Sequence, residues 1–170
     1  MIEICPFEPK HESDVVELIL RIQRDEFGLS ITEKEQPDLR EVPSFYQSGK
    51  GEFFVAVSGR HVVGTVGLKD IGNGNAALRR MFVAESFRGR KHEIASRLLS
   101  RLLIHAAAQG ISEIFLGTTE KFLAAHRFYE KHGFRWTSLE ELPASFPRMT
   151  VDNKFYVRRC EGPTLEARSV

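Results

Sequence analysis

An α/β fold is predicted by three observations. Short runs rich in Val, Ile and Phe alternate with two long segments of helical periodicity, glycine-bearing turns punctuate both, and 42% hydrophobic residues with 13 Phe in 170 residues suffice for one substantial core. The chain therefore reads as a single domain over residues 1–160, a mixed, twisted sheet of six or seven strands with helices on both faces. Residues 161–170 form a tail of little apolar content, expected to fray. A net charge of +1 and a pI near 7.9 give no reason to expect nucleic acid or an anionic membrane as partner. Cys5 and Cys160 lie far apart without metal-ligand spacing, so neither a disulfide framework nor a metal site is expected. Without a signal pattern or an apolar run long enough to span a bilayer, a reduced, cytoplasmic protein is expected.

In chain order, MIEICPF alternates as a strand and Pro6 ends it. From His11, the positions Val15, Leu18, Ile19 and Ile22 share one helical face, with Ser13 or His11 as cap candidates and Gly28 as the stop. EFGLSITEKEQPDL is a loop, PDLREVPSFYQSG a weaker helix interrupted by Pro43, and Ser48 to Gly51 a turn. The stretch from Gly51 to Val83 reads as three antiparallel strands joined at Ser58-Gly59 and Gly72-Asn73-Gly74. FRGRKHEIA is a basic turn, SRLLSRLLIHAAAQG an amphipathic helix ended by Gly110, EIFLGTT a strand, and FLAAHRFYEKHGF a helix ended by Gly133. FRWTSLE is a strand, ELPASFPRMTVDN a Pro-bearing loop, and KFYVRR the last strand.

A strand running into a basic turn that opens a helix is an anion site, because unpaired N–H groups and the helix dipole face the same point. Arg88, Arg90 and Lys91 supply the charge there, and His92 reads as a backbone donor. The other histidines, His11, His61, His105, His126 and His132, read as solvated, lacking nucleophile or metal partners.

These residues resemble two motifs of the GNAT (Gcn5-related) N-acetyltransferase family, over about a third of the chain, Ala76 to Phe134. Phe82-Val83, then Phe87-Arg88-Gly89, then Arg90-x-x-Glu93-x-Ala95 stand where the family has a strand end, an aromatic-Arg-Gly turn and the pyrophosphate loop. A register starting at Arg88-Gly89 competes; the spacing to Leu98-Leu99 favours Arg90. The second motif reads Phe122-x-x-Ala125-x-x-Phe128-Tyr129-x-x-x-Gly133-Phe134, with Phe122 in place of the family's Asn and Glu93 in place of a Gly.

The resemblance implies an acetyl-CoA-dependent N-acyltransferase (EC 2.3.1 type), with acetyl-CoA as co-substrate and no metal. The cofactor-binding residues would be Met81, Phe82, Val83, Arg88, Gly89, Arg90, Lys91, His92, Glu93, Ile94, Ala95, Ser96, Ala125 and Phe128. An amine would attack the thioester directly in a ternary complex, a backbone amide near Phe82 or Val83 would stabilise the oxyanion, and Tyr129 would protonate the thiolate. The loop between the first two helices would shape the acceptor pocket. Its chemistry is mixed: Phe27, Leu29, Phe45 and Tyr46 are apolar, while Asp25, Glu26, Glu33 and Glu35 attract cations, so a small-molecule amine and a peptide amine both fit. The resemblance leaves room for a homodimer.

Asp25, Glu26 and Glu120 are candidate general bases, and Thr118 and Thr119 end the strand beside the site. The departures at Glu93 and Phe122 motivate a second reading, a catalytically weakened CoA-binding or sensing module. Glu93 either crowds the pyrophosphate or points to solvent from the first helical turn, where replacement by Gly would cost about 1 kcal/mol of stability.

Overall fold

The computed structural model describes residues 1–160; the expected frayed tail over 161–170 lies outside the described residues. The strands are β1 (Ile2–Pro6), β2 (Glu52–Ser58), β3 (His61–Gly72), β4 (Asn75–Val83), β5 (Glu113–Thr118), β6 (Arg135–Thr137) and β7 (Lys154–Arg159). The helices are α1 (Glu12–Arg21), α2 (Val42–Phe45), α3 (Ile94–Ala108) and α4 (Leu123–Lys131). One seven-stranded sheet has the order β1-β2-β3-β4-β5-β7-β6, antiparallel except for the parallel pair β4–β5. The parallel step requires a crossover, and α3 supplies it.

Both faces of the sheet are covered, which is why β2 reads as a continuous apolar run rather than an alternating one. With a side-chain period of two, Phe54 and Ala56 join Leu98, Leu99 and Leu102 of α3 on one face. Phe53 and Val55 join Val15, Ile19 and Ile22 of the first helix on the other. Pro43 falls in the first turn of α2, where its missing N–H is harmless, and a 3-10 turn at Pro37–Arg40 precedes it. β6 is shorter than its apolar content suggested, since the chain leaves the sheet for a 3-10 turn at Leu139–Glu141 that Thr137 fastens by donating to Glu141.

Two features near α1 differ from expectation. Its N-terminus has no side-chain cap from Ser13 or His11; instead Nδ1 of His11 accepts the Glu8 N–H at 3.0 Å. The solvated reading of His11 and His126 is therefore corrected. His11 is buried, and burial lowers its pKa, while His126 is 4% exposed with Nε2 at 2.7 Å from the Thr119 carbonyl, so that nitrogen carries the hydrogen. The helix also does not stop cleanly at Arg21 but widens into a π-helical turn at Ile22–Glu26 before Gly28.

The two central strands set up the site. β4 and β5 pair only from Asn75 to Ala77 and from Glu113 to Phe115, after which they part. β4 stays on β3, β5 stays on β7, and the wedge between them opens toward the N-terminus of α3. β4 also bulges: Arg79 pairs with Gly67 and Phe82 with Thr65, so Arg80 and Met81 stand together opposite Val66. Arg80 takes φ 60° in the bulge, and Thr65 Oγ1 donates to its carbonyl at 2.7 Å.

Candidate active site

The wedge is a cavity of about 970 Å³. One wall is β4 from Leu78 to Val83, the opposite wall is Leu116 to Thr118 of β5 and Thr119 after it, with α4, and the ends are the turn before α3 and the loops 27–31 and 146–152. Every residue expected to bind cofactor borders it except Lys91 and His92; Tyr129 borders it as well. His92 instead sets its ring 5.5 Å from Phe87.

At the α3 end, Ile94, Ala95 and Ser96 line the cavity at the first helical positions, whose N–H groups lack intrahelical acceptors by construction. Gly89 has φ 98° with nothing within 4 Å of the position a Cβ would take, so the backbone at this turn is open to a ligand. Arg90 and Lys91 are exposed and, among the described residues, bond to nothing. Arg88 is engaged: its Nε–H donates to the Val83 carbonyl at 2.8 Å, and its two terminal nitrogens donate to Glu26 at 2.6 and 2.9 Å. This tether joins the basic turn to the end of the first helix, and it uses Glu26, one of the candidate bases. Asp25 and Glu120 are exposed, and neither borders the cavity.

Glu93 is the N-cap of α3 with φ 49° and ψ 38°, left-handed, and its side chain is exposed. The first-turn helical placement is therefore corrected, and with it the sign of the glycine effect, because a residue with a Cβ is strained there and Gly is not.

On the opposite wall Tyr129 is 7% exposed, packed edge-on to Phe128 and Phe134. Its hydroxyl has no hydrogen-bond partner among the described residues, and burial pushes the phenol's pKa well up, so it holds its proton at any neutral pH. Phe122 lies 4.4 Å from Phe27, ring to ring, across the mouth of the cavity.

Beyond these, a buried polar cluster lies behind the cavity wall, reaching it through Arg80 and Gln23. Arg80 donates to Asp38 through Nε at 2.9 Å and Nη2 at 2.8 Å, and to Gln36 at 2.5 Å. Tyr46 donates to Asp38 at 2.7 Å, and the amides of Gln23 and Gln36 bond reciprocally. Burial would raise the Asp38 pKa, but the bonds from Arg80 outweigh it and hold the carboxyl below its usual value. Asp152 also borders the cavity, buried beneath Gly117, where a Cβ would come within 2.5 Å of its Oδ2. Desolvation raises its pKa despite the Met149 N–H it accepts at 3.1 Å.

Motif spacing does not point to Arg79, Arg80, Asp38 or Asp152. The available signal was the pair Arg79-Arg80 inside an otherwise apolar strand, since buried arginines require partners or ligands.

Residues 16–134 match the Acetyltransferase (GNAT) family. The chain belongs to the GNAT family. A GNAT-family acetyltransferase structure from Staphylococcus aureus Mu50 is 36% identical, with a TM-score of 0.89, covering 95% of this chain and 100% of that one. An acetyltransferase from Streptococcus agalactiae 2603 is 32% identical with a TM-score of 0.87, covering 93% and 98%. N-acetylaspartate synthetase of Danio rerio is 38% identical over 100 residues, 58% of this chain and 35% of that protein, so this chain spans about a third of that relative's length. The parted strands and the left-handed backbone at Glu93 account for this GNAT chain's motif pattern: the position wants a glycine conformation, and here Glu adopts it.

Proposed function

We propose that this cavity binds acetyl-CoA and that the protein transfers the acetyl group directly to the amine of a small-molecule or peptide acceptor. The observation that carries the reading is the continuity of one cavity from a basic helix start, through parted parallel strands, to a buried phenol that keeps its proton. Acetyl-CoA supplies an acyl group already activated as a thioester. Arg90 and the first N–H groups of α3 hold phosphate oxygens, while Arg88 fixes the turn to Glu26 rather than serving the phosphates itself. Backbone groups of β4 beyond Ala77, released from β5, are available to the ligand's amides, and an N–H near Phe82 or Val83 faces the developing negative charge.

Tyr129 donates its proton to the leaving sulfur, for which a neutral phenol is the right species. The proton lost by the attacking amine goes to Asp152, the carboxylate buried at the wedge, whose raised pKa makes it a better base than an ordinary aspartate. Relatives named for N-acetylaspartate synthesis make amino acids a first acceptor set to try. The free thiols of Cys5 and Cys160 fit a reducing compartment such as the cytoplasm.

A CoA-binding or sensing module is the second reading, favoured by Glu93 and Phe122. Against it stands the acceptor half, where the buried carboxylate of Asp152 and the guanidinium of Arg79, unpaired among the described residues, serve no purpose in merely holding CoA. The test is an amine panel with acetyl-CoA, following free thiol and the mass of the product. Equimolar thiol and acetylated amine are expected; tight acetyl-CoA binding with no thiol release above the buffer rate on any amine would favour the module.

A further inference from the structure

We infer that the acceptor carries a carboxylate close to its amine, and that Arg79 is the residue that reads it. This rests on the acetyl-transfer reading above and specifies the acceptor class for the same cavity.

Arg79 and Arg80 are consecutive on β4 and both border the cavity, but their circumstances differ. Arg80 is compensated by the two oxygens of Asp38 and by Gln36. Arg79 is half-buried and, among the described residues, makes neither a hydrogen bond nor an ion pair; its guanidinium sits 5.4 Å from the centre of the Phe45 ring. Asp38 and Asp152 both feel its charge, yet neither is bonded to it. A guanidinium does not shed its charge when desolvated, and its planar fork matches a carboxylate in bidentate fashion. An uncompensated, partly desolvated arginine on the wall of a binding cavity is thus matched by an anionic group on the ligand.

Asp152 supplies the opposite charge in the same cavity, for the reacting nitrogen. Asp152 accepts only the Met149 N–H at Oδ2, which leaves its second oxygen for an ammonium group. A positive side chain on the β4 wall and a negative one on the 146–152 loop, bordering the same cavity and unbonded to each other, complement a ligand bearing an ammonium and a carboxylate a few atoms apart, as a free amino acid does. The amino terminus of a peptide lacks the carboxylate and leaves Arg79 unmatched.

The experiment compares L-amino acids with their α-amides and with the amines left on decarboxylation, at saturating acetyl-CoA, in the unaltered protein and in Arg79→Ala and Arg79→Lys. Charge-assisted bonds to a carboxylate correspond to roughly 10- to 100-fold in affinity. The expected result is a preference of at least about tenfold in kcat/KM for amino acids over their amides. Arg79→Ala should abolish it through KM, and Arg79→Lys should recover part of it. The KM for acetyl-CoA should hold, and matching unfolding midpoints establish that the variants fold. Equal kcat/KM for amino acid and amide in the unaltered protein, or an Arg79→Ala loss shared equally by both, would overturn the assignment while leaving acetyl transfer intact. If no amine releases thiol, acetyl transfer itself fails, and calorimetric titration of the same amino acids into the CoA-bound protein decides the role of Arg79. Carboxylate-dependent binding lost in Arg79→Ala supports it, and no binding overturns it.

Discussion

Replacing Asp38 by Asn removes one charge from the buried cluster behind the cavity wall while keeping the side chain's shape. Asp38 accepts three hydrogen bonds, from Arg80 Nε and Nη2 and from the Tyr46 hydroxyl, and the two charged side chains are only 7% and 4% exposed. The amide presents an NH₂ where one of those donors points, and it leaves the Arg80 guanidinium buried without a counter-charge. Breaking a buried pair in this way costs about 3–5 kcal/mol. With a urea slope of about 2 kcal/mol/M for a domain of this size, the midpoint should fall by roughly 2 M, as read by far-UV circular dichroism. The double variant Asp38→Leu with Arg80→Met, which removes both charges at once, should be less destabilised than Asp38→Asn alone. The pH dependence has a definite sign. Because the folded-state pKa of Asp38 lies below its ordinary value near 3.8, its contribution is fully present above that value and is lost as pH falls through the lower folded one. The gap between the native protein and the Asn variant should therefore narrow in strong acid. A loss under about 1 kcal/mol at neutral pH, or a gap that widens with acid, would refute this account of the cluster.

Glu93→Gly and Glu93→Ala both delete an exposed carboxylate, so they differ only in backbone, and at φ 49° Gly should be the more stable by about 1 kcal/mol, or roughly 2–4 °C in Tm; equal Tm values would mean the left-handed conformation is not strained. Tyr129→Phe should lower kcat by about 10²- to 10⁴-fold with little change in acetyl-CoA affinity, and an unchanged kcat at saturation removes Tyr129 from the chemistry. Arg90→Ala should weaken CoA roughly 10- to 100-fold and leave phosphate-free pantetheine unaffected in calorimetry. An equal loss for both ligands would signal misfolding rather than a lost phosphate contact.

Much of the scaffold was legible because its cues are local. The turns at Gly59 and at Gly72 to Gly74 delimit the β2–β3–β4 meander, the stop at Gly110 ends the crossover helix one residue after its Gln109 cap, and KFYVRR is β7 residue for residue. Most motif residues likewise converge on one cavity because they lie on two adjacent strand-to-helix units, β4 with the turn to α3 and β5 with α4. What was not legible depends on partners far away in sequence. Asp38 reaches Arg80 across 42 positions from a loop whose composition is merely polar, and Glu26 reaches Arg88 across 62. Neither pairing leaves a periodic trace, and so Arg88 read as free for phosphate and Glu26 as free for proton transfer. Asp152 sits in a Pro-bearing loop, and it is buried against Gly117 of β5, 35 positions earlier, a contact no local pattern announces. Glu93 shows the converse, since the motif marked the position as unusual but only the backbone angle gives the sign of the glycine effect.

Direct transfer is the central claim, and initial rates with both substrates varied, paired with intact mass of the protein after exposure to acetyl-CoA alone, test it most directly. Intersecting double-reciprocal lines and an unmodified protein mass are expected, because the amine must meet the thioester in one cavity with both ligands present. Parallel lines accompanied by a protein carrying one acetyl group would contradict it and place a covalent carrier in the pathway.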